Sequence, residues 1–418
     1  MQRDLNNLRD TTRYAIVGDV ENETFKHMKI AMMVRGYLPS PRPSDMIYAP
    51  IDLAIHIGQG LQERGHEVTY FGPQGTDIPG IEVETLNLPA LARNQAEFSS
   101  LITDIGRHSH NVTGLWDQKL AGEMFRRAKK GDFDLLHFHH PEAALPYAVQ
   151  YPKVPVVYTL HDPIADFYND IFNLYSSDNQ HFISISDNQR RDGPDINYCT
   201  TVYNGIDAEK YSFSDDSEDY LMIAGRINPD KGFREAVKVA METDHRLLMM
   251  GPIHKDHKQY FNQHIKPHLN DRILYLGYME QEQLIKYYQK AKALLMPIQW
   301  EEPFGLVMTE AMACGTPVIA MRRGSVPEVI KDGETGFICD HVQDMVDAVG
   351  KIDQIDRKKC RRHVENRFAI KNMVDGYEAA FMSIVHKDSS FLKAKMRGKA
   401  LRAKVNKLLK QSKKKIKR

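Results

Sequence analysis

Cysteine is scarce in this chain and never clustered. Cys199, Cys314, Cys339 and Cys360 are the only four in 418 residues, and none belongs to a C-x-x-C pair. That argues against a disulfide-stapled scaffold and for a reduced chain in the cytoplasm. The opening segment, "MQRDLNNLRD", has no apolar core, so no signal peptide is expected. No run approaches about 18 apolar residues, so no membrane span is expected either. The first apolar run, "KIAMMV", is not followed by G-x-G-x-x-G, which disfavours a nicotinamide dehydrogenase. Nor does any repeat appear with a period of about 20–50 residues, so a solenoid is disfavoured.

What is present suits a globular enzyme of two domains. A chain of this length exceeds one ordinary core and divides into two domains of roughly 150–200 residues. The net charge of +1 conceals an asymmetry. Residues 387–418 hold 14 Lys and Arg against one acid, Asp388, a net +13 that leaves −12 for the other 386 residues. An acidic body therefore carries a basic tail.

The apolar pattern alternates between strand and helix. "KIAMMV", "HEVTYF", "DLLHFH", "VPVVYTL" and "HFISIS" are continuous apolar runs of strand length. Between the first two, "PIDLAIHIGQGLQERG" places Ile51, Ala54, Ile55, Gly58 and Leu61 on one helical face, with Pro50 suited to its first turn and Gly65 to its end. Continuous apolar strands separated by helices imply a parallel sheet covered on both faces. The rhythm breaks in "VYNGIDAEKYSFSDDSEDY", then restarts with "YLMIAGR", "RLLMMG", "RILYLG", "ALLMP" and "PVIA". The helix "DKGFREAVKVAMET" has its stripe at Phe233, Ala236, Val237 and Ala240. The expected fold class is α/β, with two doubly wound Rossmann-like domains facing across a cleft at their strand C-terminal ends. The expected boundaries are a polar extension at 1–27, a first domain at 28–207, a second at 208–367, a closing helix at 368–386 packed on the first domain, and the tail at 387–418.

Two constellations carry chemistry. In "EEPFGLVMTEAMACGTPVIA", Pro303 and Gly305 open a helix that Gly315 closes. Its first turn offers free N–H groups and a positive dipole end to an anion. Glu302 precedes that tip, and Glu310 follows eight residues later among Met308, Ala311 and Met312. Each carboxylate can accept a pair of sugar or ribose hydroxyls. Dipole complementation would account for Glu302 but poorly for Glu310. The second constellation is "AGRINPDKG", in which Arg226 and Lys231 follow a strand end and Asp230 is placed to start a helix. Two cations beside a helix N-terminus suit a diphosphate, although such a loop taken alone is commonly just solvated.

Glu302-x7-Glu310, "GRINPDKG" and "NGID" at 204–207 together resemble the family-four retaining glycosyltransferases of GT-B type, from roughly Lys29 to Val385. The resemblance implies transfer of a hexosyl unit from a nucleotide-diphosphate sugar, first of all a UDP-sugar, to a glycan, lipid or small molecule. It implies no metal and no separate cofactor. Arg226 and Lys231 would grip the diphosphate, Glu310 the ribose and Glu302 the transferred sugar. The backbone of Phe304, Gly305 and Leu306 would meet sugar and distal phosphate, and Tyr278 and Met279 the base. In "LLHFHHPEAALP" the family pattern places His139 in the cleft as a catalytic residue, through its carbonyl or ring, while His137 is expected against a packed helix. His161, Arg42 and Tyr48 are candidate contacts to sugar or acceptor. Four histidines near strand ends could also bind zinc, but no Asp or Cys partner is evident. One departure is clear: where the family carries Gly-Gly after its first strand, "SDMIYAP" puts Tyr48 and Ala49.

The tail repeats Phe391, Ala394, Gly398, Leu401, Val405 and Leu408 at helical spacing among basic residues. That suits an anionic membrane surface on the cytoplasmic face, or a bland solvated tail. Nucleic acid is disfavoured, because no base-reading motif accompanies the charge. A sugar-nucleotide epimerase or phosphorylase on the same fold, or a silent membrane-binding protein, are the alternatives to transfer.

Overall fold

The structure, a computed structural model, describes residues 27–191 and 193–386. The basic tail at 387–418 lies outside the described residues, as does the extension at 1–27 apart from His27.

Two parallel sheets organise the molecule. The first contains β1 (Lys29–Met33), β2 (Glu67–Phe71), β3 (Glu82–Glu84), β4 (Leu135–Phe138), β5 (Val156–Leu160), β6 (Gln180–Ser184) and β7 (Tyr198–Thr201), in the order β3-β2-β1-β4-β5-β6-β7. The second contains β8 (Tyr220–Ala224), β9 (Arg246–Met250), β10 (Ile273–Gly277), β11 (Ala293–Met296), β12 (Val318–Met321) and β13 (Gly336–Cys339), in the order β10-β9-β8-β11-β12-β13. Every pairing in both sheets is parallel. The two sheets are the doubly wound pair that the apolar runs predict.

Three strands escape a search for apolar runs. β3, β7 and β13 lie at sheet edges, and most of their side chains are only half-buried. An edge strand has less apolar surface to hide, so its sequence signal is weaker.

Helices cover the faces. α1 (Ala49–Glu63) buries Ile51, Leu53, Ala54, Ile57, Gly58 and Leu61 and has Pro50 in its first turn; Ile55, expected on the stripe, is half-buried. α2 (Val112–Lys130) ends on Gly131 in the left-handed conformation. α3 (Phe233–Thr243) buries Phe233, Ala236, Val237 and Ala240. α4 (Gln281–Lys290), α5 (Leu306–Ala313) and α6 (Arg357–Arg367) belong to the second lobe, the one built on the β8–β13 sheet.

After α6 the chain returns to the first lobe. Ile206 N donates to Phe368 O at 2.8 Å and Ile370 N to Ile206 O at 3.1 Å, and a final helix, α7, runs over residues 370–386. Its Met373, Val374, Tyr377, Phe381 and Ile384 share one core with Ile30 and Met32 of β1. Burying each such side chain stabilises by roughly 1.5–3 kcal/mol. Arg64 and His66 hold Glu378 of α7 at 2.6 and 3.0 Å. Among the described residues no helix is long and apolar enough to cross a membrane.

Strand order reverses between β1 and β4 in one sheet and between β8 and β11 in the other. The loops after these four strands are where an open α/β sheet binds ligands. Loops at the strand C-terminal ends of the two sheets meet. Tyr278, after β10, donates from its hydroxyl to Ser44 O, after β1, at 2.8 Å. Glu328 of the second lobe accepts Asp187 N and Asn188 N of the first at 2.7 and 2.8 Å.

Candidate active site

In the second lobe the chain leaves β8 and turns at Asn228, whose Oδ1 accepts Lys231 N at 3.0 Å. This opens a short 3-10 turn over Pro229–Lys231, and Gly232 in the left-handed conformation then starts α3. Asp230, expected at the helix start, instead sits inside that turn. The capping side chain is Asn228, because only there is the backbone extended with a side-chain oxygen three residues ahead of an open N–H.

The turn aims Lys231 at Glu302. Lys231 Nζ pairs with Glu302 Oε2, and Trp300 Nε1 donates to the same oxygen at 3.0 Å. The ammonium lies 4.8 Å from the Trp300 ring centre, within cation–π range. Arg226 is exposed, and its charge acts on His254 and, across the cleft, on Asp162.

The segment carrying Glu302 is pinned from behind. Ser325 N donates to Glu302 O at 2.9 Å, Ser325 Oγ to Phe304 O at 2.7 Å, and Gly324 N to Glu301 Oε2 at 2.7 Å. Gly324 has φ +56°, and a methyl group there would run into the Glu302 backbone. Gly305 caps α5 at φ +77°, where a Cβ would meet Met296 and Met308 methyl groups at 2.8 and 2.9 Å. The tip of α5 thus presents its first N–H groups beside Lys231 and Glu302. Phe304 turns its ring into the core against Phe368 and Tyr203, so only its backbone is available; Leu306 is half-buried.

Glu310 is held differently. Tyr211 and Tyr288 hydroxyls donate to its two oxygens at 3.0 and 3.2 Å. Burial raises this carboxyl above its ordinary range, while the two hydroxyls and the Arg42 charge offset part of the rise. Each oxygen keeps a second lone pair for a ligand hydroxyl. Tyr278 is exposed at the lobe junction, and Met279 packs on the second-lobe core.

In the first lobe the histidines divide. His137 is fully buried against Tyr377 and Phe381 of α7, the packed helix expected for it, and its Nε2 shares a hydrogen bond with Thr159 Oγ1 at 2.8 Å. His139 is 1% exposed, with Nδ1 bonded to His161 Nε2 at 2.8 Å and Nε2 buried without a hydrogen-bond partner. Its ring is therefore turned from solvent, and the half-exposed imidazole of the pair is His161. Burial lowers His137 and His161 to about 3 and His139 and His140 well below the ordinary range, so all four are neutral at pH 7.

Tyr48, standing where glycine was expected, has an unstrained φ of −151°. Its hydroxyl meets His140 Nε2 and accepts from Arg35 Nε at 3.2 Å, and Arg35 pairs with buried Asp117 at 3.1 Å. Arg42 is tied to Asp52 at 2.7 Å and to Met46 O, a strut of its loop rather than a free cation. Among the described residues, no group of three or more His, Cys, Asp or Glu is placed to hold a metal ion.

Known proteins share the family and the fold. Residues 53–210 match the family described as Glycosyltransferase Family 4, and residues 207–369 match Glycosyl transferases group 1. The chain belongs to the family-four glycosyltransferases. This glycosyltransferase is 26% identical over 384 residues to N-acetyl-alpha-D-glucosaminyl L-malate synthase of Bacillus anthracis, covering 81% of this chain and 94% of that one. Its fold is similar to a glycosyltransferase from Rickettsia africae, with TM-score 0.65, 16% identity, and 86% and 99% of the two chains covered. It is also similar to Anabaena HepE in complex with UDP and glucose, with TM-score 0.60, 18% identity, and 85% and 100% covered.

Several residues of this candidate site leave little trace in sequence. Tyr211 lies in the polar stretch that separates the sheets, and Tyr288 lies inside α4, yet both reach Glu310. Ser325 and Gly324 act from the far side of β12. Asp162 stands exposed beside His161, a first-lobe carboxylate at the cleft that the motifs did not mark. Trp300 was missed as well, although its place two residues before Glu302 is a signal that could have found it.

Proposed function

We propose that the chain is a retaining glycosyltransferase that moves a hexosyl unit from a UDP-sugar to an acceptor bound against the first lobe. The observation that carries this reading is the convergence of Lys231, Glu302 and the α5 tip at the strand ends of the second lobe, with Arg226 exposed beside them. A diphosphate would take the place of Glu302 as the partner of Lys231, and the N–H groups of α5 would share its charge. Arg226 would add to the stabilisation of the departing phosphate without a metal ion. Glu302, released, would accept sugar hydroxyls, still oriented by Trp300. Glu310 would accept the ribose hydroxyls with its remaining lone pairs.

Retention is the family expectation. Same-face attack assisted by the leaving phosphate fits neutral histidines on the acceptor side, which add no competing acid. Asp162 is the first-lobe carboxylate that a double displacement would need. Asp162→Asn separates the routes: same-face attack predicts a retained product with residual turnover, whereas a nucleophilic role predicts abolished transfer. The membrane proposal rests on the tail sequence and is tested by liposome sedimentation with and without residues 387–418.

A thermal-shift series with UDP-, GDP- and ADP-sugars tests the donor assignment, since a ligand that binds the native state raises its apparent stability. A shift with UDP-sugars, lost in Lys231→Ala, is expected. No shift with any of the three would defeat the proposal.

A further inference from the structure

Glu328 belongs to the second lobe, in the short helix Val326–Val329 after β12, yet its carboxylate serves the first. Its Oε2 accepts Asp187 N at 2.7 Å and its Oε1 accepts Asn188 N at 2.8 Å, at the start of the short helix Asn188–Arg191 after β6. N–H groups at a helix start have no partner within the helix and are ordinarily capped by a side chain next to them. Here the cap comes from 140 positions away, and its bonds are charge-assisted. Tyr203 Oη donates a third bond to Oε2 at 3.1 Å. Both segments that cross between the lobes meet at this residue. Tyr203 lies on the outgoing one, its ring centre 6.3 Å from that of Phe304. On the returning one, Arg367 Nη1 donates to Glu328 O at 3.3 Å, and its guanidinium lies 5.6 Å from the Tyr203 ring centre.

Each flank of this joint reaches one half of the cleft. In the first lobe, buried Gln189 follows Asn188 and donates from Nε2 to Leu160 O at 3.0 Å and Asp162 O at 2.9 Å, the carbonyls on either side of His161. The Asp187 carboxylate accepts from Thr201 Oγ1 at 2.5 Å and from Arg190 at 3.0 Å, which ties the same turn to β7. In the second lobe, Ser325 stands three residues before Glu328 and holds Glu302 O and Phe304 O at 2.9 and 2.7 Å. Asn188 Nδ2 also donates directly to Glu301 Oε2 at 3.3 Å. A contiguous path therefore runs from His161 and Asp162 through Gln189 to Glu328, and on through Ser325 to Glu302.

We propose that Glu328 is a positioning residue: it sets the register between the two halves of the cleft, holding the segment of His161 and Asp162 at a fixed offset from the segment of Glu302 and Phe304. The inference rests on the reading above only in taking the second segment as the donor half and the first as the acceptor half. Two domains of one chain move against each other unless their interface is large and apolar, and this joint is polar. Transfer from a donor on one lobe to an acceptor on the other needs the reacting atoms held to about 0.5 Å, so the offset between the lobes matters as much as either half-site. Glu328 acts on both through Gln189 and Ser325 rather than by meeting a substrate.

Glu328→Gln tests this, because it keeps the shape but puts an NH2 group where one oxygen was, so that one of the two backbone N–H groups meets a donor. Spin labels at Lys130→Cys in α2 and Glu242→Cys in α3, both exposed, report the distance between the lobes. Half-buried Cys199 is replaced by serine, and the other three cysteines are buried. Double electron–electron resonance on the full chain, with and without UDP, should give one distance distribution, and Glu328→Gln should widen it at least about twofold, as loss of a charge-assisted joint between mobile domains does. Tyr203→Phe keeps the ring and removes one bond of three, so it should widen the distribution less. The melting temperature should stay within about 5 °C of the parent chain's, and UDP affinity by calorimetry within about threefold. An unchanged width in Glu328→Gln would overturn the proposal. So would a collapse of melting temperature, which means a structural role, or a larger loss of UDP affinity, which puts Glu328 at the donor itself. Failure of the parent chain to bind UDP would sink the donor reading, while the widths still decide this one.

Discussion

The histidine wall of the first lobe makes acid stability a sharp test of the structure. Burial lowers His137 and His161 to about 3 in the folded chain, whereas an unfolded histidine titrates near ~6.5. With the folded value depressed, the unfolded chain binds more protons as pH falls below ~6.5, so stability is lost from there down towards about 3. Linkage gives about 1.36 kcal/mol per pH unit per histidine, so going from pH 7 to 5 removes roughly 2 kcal/mol for a fully buried ring. His161 is half-exposed, so its share is discounted, and the pair should lose about 3 kcal/mol. His139 and His140 add in the same direction. For a lobe of this size that is roughly 6–12 °C in melting temperature. The two tryptophans make the assay lobe-specific: Trp116 lies in α2 and Trp300 in the second lobe. Trp300→Phe leaves Trp116 to report the first lobe, and Trp116→Phe leaves Trp300 to report the second. The Trp116 transition should fall more steeply with acid than the Trp300 transition. If both fell in parallel, or the first lobe stayed flat from pH 7 to 5, the buried neutral imidazoles would be wrongly placed.

Other perturbations bear on the second lobe. Lys231→Ala and Glu310→Ala should each lower kcat/KM by about a hundredfold or more with an unchanged circular dichroism spectrum, as removal of charge-stabilising groups does; wild-type-like turnover in both would defeat the donor assignment. Gly324→Ala combines a left-handed backbone with a methyl group against the Glu302 backbone, so roughly 2 kcal/mol or more of second-lobe stability should be lost in urea titration. Tyr211→Phe removes one donor to Glu310; a stability loss of about 1 kcal/mol is expected, with donor KM raised and kcat little changed.

Much of the fold was legible because both sheets are parallel and buried. Continuous apolar runs such as "KIAMMV" and "RLLMMG" can hide both faces only inside such sheets, and they became β1 and β9. The motif residues Lys231, Glu302 and Gly305 were legible because their spacing is local, set by one turn and one helix tip. What could not be read came from distance in sequence. Tyr211 reaches across 99 positions to Glu310, and Ser325 supports Phe304 from the strand beyond. His139 shows the same limit from the other side. Motif order marked it for the cleft, and it could not tell that the ring is only 1% exposed, beside His137, on which Tyr377 and Phe381 of α7 pack from more than 200 positions later. Tyr48 replaces an expected glycine without strain because its φ is negative; the departure changes what lines the strand ends, not the path of the chain.

The two glutamates that flank α5 are prepared for different tasks before any donor arrives. Glu302 already has a cation as its partner, whereas Glu310 is fixed by two neutral hydroxyls on buried rings. A diphosphate can take Lys231 from Glu302 by exchanging one anion for another, so the ammonium need never stand uncompensated, and desolvating it afresh is avoided. Glu302 then needs something else to hold it, and Trp300 Nε1 at 3.0 Å is in place to do so. Replacing Trp300 with Phe removes that anchor while keeping an aromatic face near Lys231. The expected result is a fall in kcat that exceeds any rise in donor KM, because the sugar is held loosely once Lys231 has moved. A variant with unchanged kcat and weakened UDP binding would mean that Trp300 serves the ammonium instead, and that Glu302 is oriented by Lys231 throughout.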